Sequence, residues 1–186
     1  NNMKNIFFIG SGGHFKETFN WYKDQIKNGH LKSNIRGIID DKSDVEVEKN
    51  TKLKILKSKQ VKNEKNNYLI LSVGLIDKRK SILKKFKNYN FENLIHPSAT
   101  ISPMTKFGKG NVFSPNIVLS GDAKLGNFNN LNPNSVISHD CIIGNNNFLS
   151  SVTSLMGNCY IGNNNFFGVG STMIPQTSLK NNNIVG

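Results

Sequence analysis

His139 and Asp140 are neighbours in the run Asn132-Pro133-Asn134-Ser135-Val136-Ile137-Ser138-His139-Asp140-Cys141. An imidazole beside a carboxylate that can orient it is a pairing suited to general-base chemistry. Eighteen residues later comes Gly157, which has no side chain to cover its backbone N–H. A base beside a bare N–H donor is what acyl transfer to an amine or hydroxyl asks for. The base takes the acceptor's proton and the donor holds the developing oxyanion. A histidine at a turn can equally be a solvated side chain, so the pairing matters only if the fold stacks residues eighteen apart.

A second constellation lies near the start. An apolar run, Lys4 to Ile9, leads into Gly10-Ser11-Gly12-Gly13-His14. Glycines there let backbone N–H groups approach a phosphate at a helix N-terminus. The pattern is not the dinucleotide fingerprint, because Phe15 stands where the third glycine belongs. Asp40 and Asp41 end a second apolar run, where they can accept hydrogen bonds from a ribose or base, or simply form an acidic turn. His14 can cap the loop or touch phosphate.

What positions His139 is a repeat. Every sixth residue from Ile95 to Val185 is large and apolar: Ile95, Ile101, Phe107, Phe113 and so on, without one insertion. Neither helical nor ordinary strand periodicity gives that spacing. Four residues after each comes a mostly small or polar side chain, such as Ala99, Ala123, Ser135, Cys141 and Ser171. Large and small inward positions alternate, as filling a narrow solenoid requires. Gly-Asn-Asn-Asn-Phe recurs at 144–148 and 162–166, and Pro97, Pro115 and Pro133 are eighteen apart. Eighteen residues are three hexads, so one coil is a triangle of three short strands and three corners, with Asn and Gly suited to the corners. Coils stack at the strand-pairing distance of about 4.8 Å. Pro103, Gly121, His139, Gly157 and Pro175 then share one corner. Cys141 and Cys159 stack at one inward position as a small-residue ladder, not a metal site. Only His96 and His139 are available in the repeat, whereas a zinc carbonic anhydrase on such a coil needs three histidines. His96, which opens the first coil, reads as structural.

What positions the glycine loop is a doubly wound unit. A strand at Lys4 to Ile9 is followed by a helix whose Phe15, Phe19, Tyr22 and Ile26 share a face, with Gly29 as its stop. Strands at Ile35 to Ile39 and Tyr68 to Val73 follow, the last leading through Gly74 to a basic helix with Ile76, Leu83 and Phe86. The expected architecture is an α/β Rossmann-like domain over 1–92, followed by an all-β parallel β-helix of hexapeptide repeats over 93–186.

Composition sets outer bounds. The net charge is +12, and +10 of it falls in 1–94. A basic N-terminal domain suits an anionic ligand such as a nucleotide diphosphate, although Lys is abundant throughout that half. No apolar stretch reaches the roughly 20 residues of a membrane span. The start shows no signal-peptide pattern, and Asn1 and Asn2 precede Met3, the plausible initiator. A cytoplasmic protein without nucleic-acid or membrane partners is the expectation.

Gly-Ser-Gly-Gly-His near the start, Ile-Asp-Asp, Leu-Ile-His-Pro-Ser-Ala and Ser-His-Asp-Cys-Ile-Ile-Gly, in that order, resemble one bacterial family of hexapeptide-repeat sugar acyltransferases. It includes bacillosamine-pathway N-acetyltransferases and sialic acid O-acetyltransferases. The resemblance spans essentially the whole chain. It implies left-handed coiling and a homotrimer, with acetyl-CoA lying between neighbouring subunits and a nucleotide-linked sugar, UDP the expected carrier, on the N-terminal domain. It implies that His139 is the general base, that Asp140 assists it, and that the Gly157 N–H meets the thioester oxygen. Gly157, Gly168 and Val169 become acetyl-CoA-binding positions; Gly12, Gly13, His14, Asp40, Asp41 and Asn132 become substrate-binding positions. No metal is implied. The expected reaction is transfer of acetyl to the 4-amino group of a nucleotide-linked amino-deoxy sugar. The alternatives are sugar O-acetylation and a non-catalytic scaffold. Two departures stand out: Phe148 replaces a second histidine common in the family, and Val152-Thr153 replaces its usual Pro-Gly. Val185-Gly186 opens a further hexad, leaving room for more donor-binding residues and a cap beyond it.

Overall fold

A computed structural model describes residues 3–29, 32–42 and 45–186. Asn1 and Asn2, ahead of Met3, lie outside the described residues. The chain divides into two compact units between Glu92 and Asn93.

In the first unit, five parallel strands form one sheet: β1 (Lys4–Ile9), β2 (Ser33–Ile39), β3 (Ile55–Leu56), β4 (Asn67–Leu71) and β5 (Asn90–Phe91). Their order is β3-β2-β1-β4-β5. The direction of winding reverses between β1 and β4, so the loops after these two strands border the crevice where open α/β sheets take their ligands. The helices are α1 (Gly13–Lys27), α2 (Val45–Thr51) and α3 (Ile76–Lys85). β1 is apolar along its length because it is the central strand: Ile6 and Phe8 are fully buried. Phe8 meets Phe15, Phe19 and Tyr22 of α1 edge-on, with ring centroids 5.5–5.9 Å apart.

The buried row of α1 differs from the expected one. It is Phe15, Thr18, Tyr22 and Gln25, with Phe19 and Ile26 only flanking it. Thr18 tolerates burial because its hydroxyl donates to the Ser72 Oγ at 2.8 Å, beyond the end of β4. Gly29 does follow the helix, at φ +77, and donates to the Ile26 carbonyl. α2, β3 and β5 were not anticipated; they are short and carry little periodic signal.

The second unit is a left-handed parallel β-helix. Sixteen two-residue strands form three parallel sheets of five, five and six. Each strand ends on a member of the six-residue series, as in Val136–Ile137, Phe148–Leu149 and Ser154–Leu155. Strands pair with partners eighteen residues away, for example Leu131 with Leu149. Two residues cannot hold a strand alone, so stacking supplies the hydrogen bonds and the core. Phe113, Leu131, Ile137, Leu155 and Phe167 are fully buried. The second inward position is filled by Ala123, Ser135, Cys141, Asn147, Thr153 and Cys159, all at most 1% exposed.

The corners repeat too. From Gly110 to Asn182 every sixth residue has φ between +55 and +75, and it is Asn, Asp or Gly except at Phe128, Val152 and Gln176. Pro115, Pro133 and Pro175 immediately precede such residues. Proline followed by a positive-φ residue is type II turn chemistry. From Phe128 to Asn182 the N–H of each positive-φ residue is spent on the preceding coil, as Asp140 N–H on the Gly121 carbonyl and Asn158 N–H on the His139 carbonyl. The Gly-Asn-Asn-Asn corner carries two asparagine ladders of opposite sense. Asn127, Asn145 and Asn163 donate forward to the next coil, while Asn147, Asn165 and Asn183 donate back. No described helix is long and apolar enough to cross a membrane.

Candidate active site

His139 sits at the outer point of a corner because the strand Val136–Ile137 has just ended. The Ser138 N–H still bonds to the Leu155 carbonyl. Asp140 takes the positive-φ place, φ +58, which a short polar side chain tolerates. That turn brings the Asp140 Oδ2 to 2.8 Å from the His139 Nδ1. A carboxylate only accepts, so Nδ1 carries a proton, and in the neutral ring Nε2 keeps its lone pair. The two side chains are 62% and 53% exposed, so the pair is open to solvent on one chain.

The imidazole lies over Gly157. A Cβ built there would stand 2.7 Å from both Cε1 and Nε2 of His139. The ring takes this position because residue 157 is glycine: a side chain there would displace it, whereas the backbone angles at 157 do not call for glycine. The Gly157 N–H has no acceptor within the described chain, and Pro103 and Pro175 fill the same column. The coil therefore does not need that N–H, and Gly157 is itself buried beneath the ring. His139, Asp140 and Gly157 converge. The arrangement offers a lone-pair nitrogen and an unspent N–H donor on one corner, the elements of a proton transfer coupled to oxyanion stabilisation.

Asn132, Gly168 and Val169 lie elsewhere on the same chain. They belong to the preceding corner, where Asn132, Ser150 and Gly168 form one column and Pro133, Ser151 and Val169 the next. Asn132 is 7% exposed and its Oδ1 accepts from the Asn130 Nδ2 at 3.1 Å. Val169 is 76% exposed. His96 is engaged in its own turn, with Nδ1 3.1 Å from the Ser98 N–H. Phe148 stacks flat on Phe166, centroids 5.6 Å apart.

The glycine loop lines a cleft of about 590 Å³ in the first unit, with the Asp40–Lys42 turn, the Ser72–Leu75 loop after β4 and Lys78 of α3. Gly10 is demanded by the fold: φ is +97, and a Cβ would meet Val73 at 2.6 Å. Gly12 and Gly13 are not. A Cβ on either would meet nothing within 4 Å, so their faces are open to the cleft. Gly12 begins α1 without a side-chain cap. His14, in the first turn, is turned onto its own helix, with Nδ1 3.2 Å from Glu17 Oε2 and the ring edge-on to Trp21.

The two aspartates have structural work that the sequence alone does not reveal. Asp40 Oδ2 accepts from the Ser11 N–H (2.9 Å) and hydroxyl (2.8 Å), and Oδ1 from the Lys42 N–H (2.9 Å). Burial pushes its carboxyl upward, but the bonds from Lys42 and Ser11 outweigh this and leave it below the usual carboxylate range. Asp41 Oδ1 accepts from the Ser58 N–H at 3.1 Å, and Oδ2 meets the Lys85 ammonium at 3.0 Å. The Ser58 N–H foremost, with Lys85 and the Ser58 hydroxyl, lowers it to about 2. Ser11, Ser58 and Lys85 were not singled out from sequence. Only Ser11, inside the glycine loop, carried a local signal.

No protein-family model and no curated protein sequence matches the chain. Solved structures do. The acetyltransferase domain of PglB from Neisseria gonorrhoeae, in complex with acetyl coenzyme A, superposes with a TM-score of 0.83 at 22% identity, over 97% of this chain and 86% of that one. A histidine-to-asparagine mutant of perosamine N-acetyltransferase from Caulobacter crescentus, in complex with CoA and GDP-perosamine, gives 0.82 at 22% identity, over 98% and 86%. WeeI from Acinetobacter baumannii gives 0.68 at 17% identity, over 100% and 95%. The likeness is one of fold along the whole chain.

Proposed function

We propose that the chain is an acetyltransferase moving acetyl from acetyl-CoA to the 4-amino group of a nucleotide-linked amino-deoxy sugar. His139 Nε2 removes a proton from the acceptor amine as its nitrogen attacks the thioester carbonyl. The Gly157 N–H stabilises the oxyanion. When the C–S bond breaks, the imidazolium returns its proton to the departing sulfur, giving free CoA and an amide. Asp140 holds the ring in the tautomer that this requires. No metal takes part.

The observation that carries this reading is the placement of the His139 ring, anchored by Asp140 at 2.8 Å and lying over the unspent N–H of Gly157. The neighbours add support: one is named with acetyl coenzyme A and others with CoA and GDP-perosamine. The complexes with both ligands include two in which a histidine is replaced. A homotrimer is part of the proposal, because Asn132, Gly168 and Val169 lie on a different corner from His139. Only a neighbouring copy can present that corner to it. The unit ending at Glu92 is proposed to hold the nucleotide.

A thiol-release assay with acetyl-CoA and a panel of nucleotide-linked amino-deoxy sugars tests the reading. UDP sugars come first, with the GDP carrier of the Caulobacter neighbour beside them. Acceptor-dependent CoA release and a mass gain of one acetyl on the sugar are expected. No release with any member of the panel would sink it.

A further inference from the structure

The cleft of the first unit carries a cation that neither the fold nor the proposed chemistry has yet used. Its floor is the crevice between the ends of β1 and β4, where the winding of the sheet reverses. On one side are Gly12 and Gly13, open to the cavity for lack of anything within 4 Å. On the other are Gly74, Leu75 and Lys78, the last in the first turn of α3. Lys85 also lines the cleft, but its ammonium is paired with Asp41 at 3.0 Å. Lys78 is exposed and has no such anchor among the described residues.

The surrounding electrostatics point the same way. The N-caps of α1 and α3, Gly12 and Leu75, both line this cavity, and neither helix has a side-chain cap. A lysine without an ion-pair partner and two open glycines lining one cavity of this size fit a ligand with two adjacent negative groups. A single carboxylate would leave much of that donor set unused.

We propose that Lys78 is the counter-ion of the diphosphate of the bound nucleotide-sugar, which lies between it and the Gly12–Gly13 backbone. The nucleoside then extends toward Asp41 and Phe86, which line the same cleft. This rests on the nucleotide-sugar reading and adds to it the residue that reads the phosphates. Lys78 thus acts on affinity for any nucleoside diphosphate, whatever its base, and contributes nothing to recognition of the base.

Titration calorimetry on the full chain decides it, with UDP, GDP and dTDP and with uridine, guanosine and thymidine as phosphate-free counterparts. Lys78→Met is the test variant. Lys84→Met, on the same helix but away from the cleft, makes the same change in net charge as a control. For the tightest diphosphate, Lys78→Met is expected to raise Kd about tenfold and to flatten its dependence on salt. Its nucleoside should bind as before, and Lys84→Met should change Kd by less than about twofold. Equal losses for nucleoside and diphosphate, or equal effects of the two lysine variants, would overturn the assignment while leaving the cleft as the nucleotide site. Failure of every diphosphate to bind the unaltered chain would overturn the nucleotide-sugar reading along with it.

Discussion

The imidazole of His139 lies against the face of Gly157 one coil further on, at a separation a methyl group cannot share: 2.7 Å from Cε1 and Nε2 to the position of a Cβ. The glycine therefore has two separable roles, clearing the ring and offering its N–H. Gly157→Ala keeps the N–H but must push the ring off its corner. The expected result is a folded coil whose kcat falls on the order of 10²-fold, approaching that of a histidine deletion. Full activity in Gly157→Ala would mean that the ring works from another position.

His139→Ala removes the base and leaves the corner intact, since glycine and proline occupy the same column at Gly121 and Pro175. Turnover should drop about 10²–10⁴-fold, the usual scale for loss of a general base, with an unchanged melting temperature. Steady-state CoA release and a thermal melt together check this. A variant with near-normal turnover rules out proton transfer by His139.

Asp140→Asn separates the corner from the chemistry. Asparagine fills the same positive-φ place at Asn116, Asn134 and Asn158, so stability should hold. An amide can present its NH₂ to Nδ1 and favour the tautomer with a protonated Nε2, which cannot accept a proton. A kcat loss of about 10–100-fold is expected, smaller than in fully buried triads because both side chains are more than half exposed. Unchanged kcat would reduce Asp140 to a turn residue.

The coil was legible because each of its positions repeats: the series from Ile95 to Val185 marks the end of every strand, and the eighteen-residue columns place Gly157 beside His139. Which way the ring leans was not legible, since it depends on the 2.8 Å contact with Asp140. In the first unit the apolar runs announced β1, β2 and β4. The buried row of α1 was misjudged because the buried Thr18 hydroxyl is satisfied by the His14 and Phe15 carbonyls of its own helix and by Ser72, far along the chain. The structural work of Asp40 and Asp41 was not legible for the same reason. Their partners Ser11, Ser58 and Lys85 come together only in the folded loop.

That clasp has consequences for binding and for acid stability. Asp40→Asn loosens Ser11 and hence the glycine loop, so KM for the nucleotide-sugar should rise about tenfold while KM for acetyl-CoA stays put. The reverse pattern would place the donor on this unit instead. Asp41, lowered to about 2, stabilises the fold fully above its unfolded pKa of about 4. The contribution is lost as pH falls through the folded value. In urea melts between about pH 5 and 2, Asp41→Asn should lose less of its midpoint than the unaltered chain. Parallel acid limbs for the two proteins would show that the clasp does not stabilise the fold.

The asparagine ladder makes the strongest stability prediction. Asn147 is fully buried at the polar corner. Its Oδ1 accepts from the Asn165 N–H at 2.9 Å and the Asn165 Nδ2 at 3.0 Å, while its Nδ2 donates to the Gly162 carbonyl at 2.9 Å. Asn147→Leu fits the volume but strands the Asn165 N–H and the Gly162 carbonyl without water to replace their partner. Each such group costs about 1–3 kcal/mol, so a loss of about 3 kcal/mol is expected. Asn145→Ala, on the exposed ladder of the same corner, leaves the Asn127 N–H facing solvent and should cost about 1 kcal/mol or less. Denaturant titration of both variants, followed by circular dichroism, gives the comparison. If Asn147→Leu proved no worse than Asn145→Ala, inward apolar packing rather than the ladder would be what holds that corner.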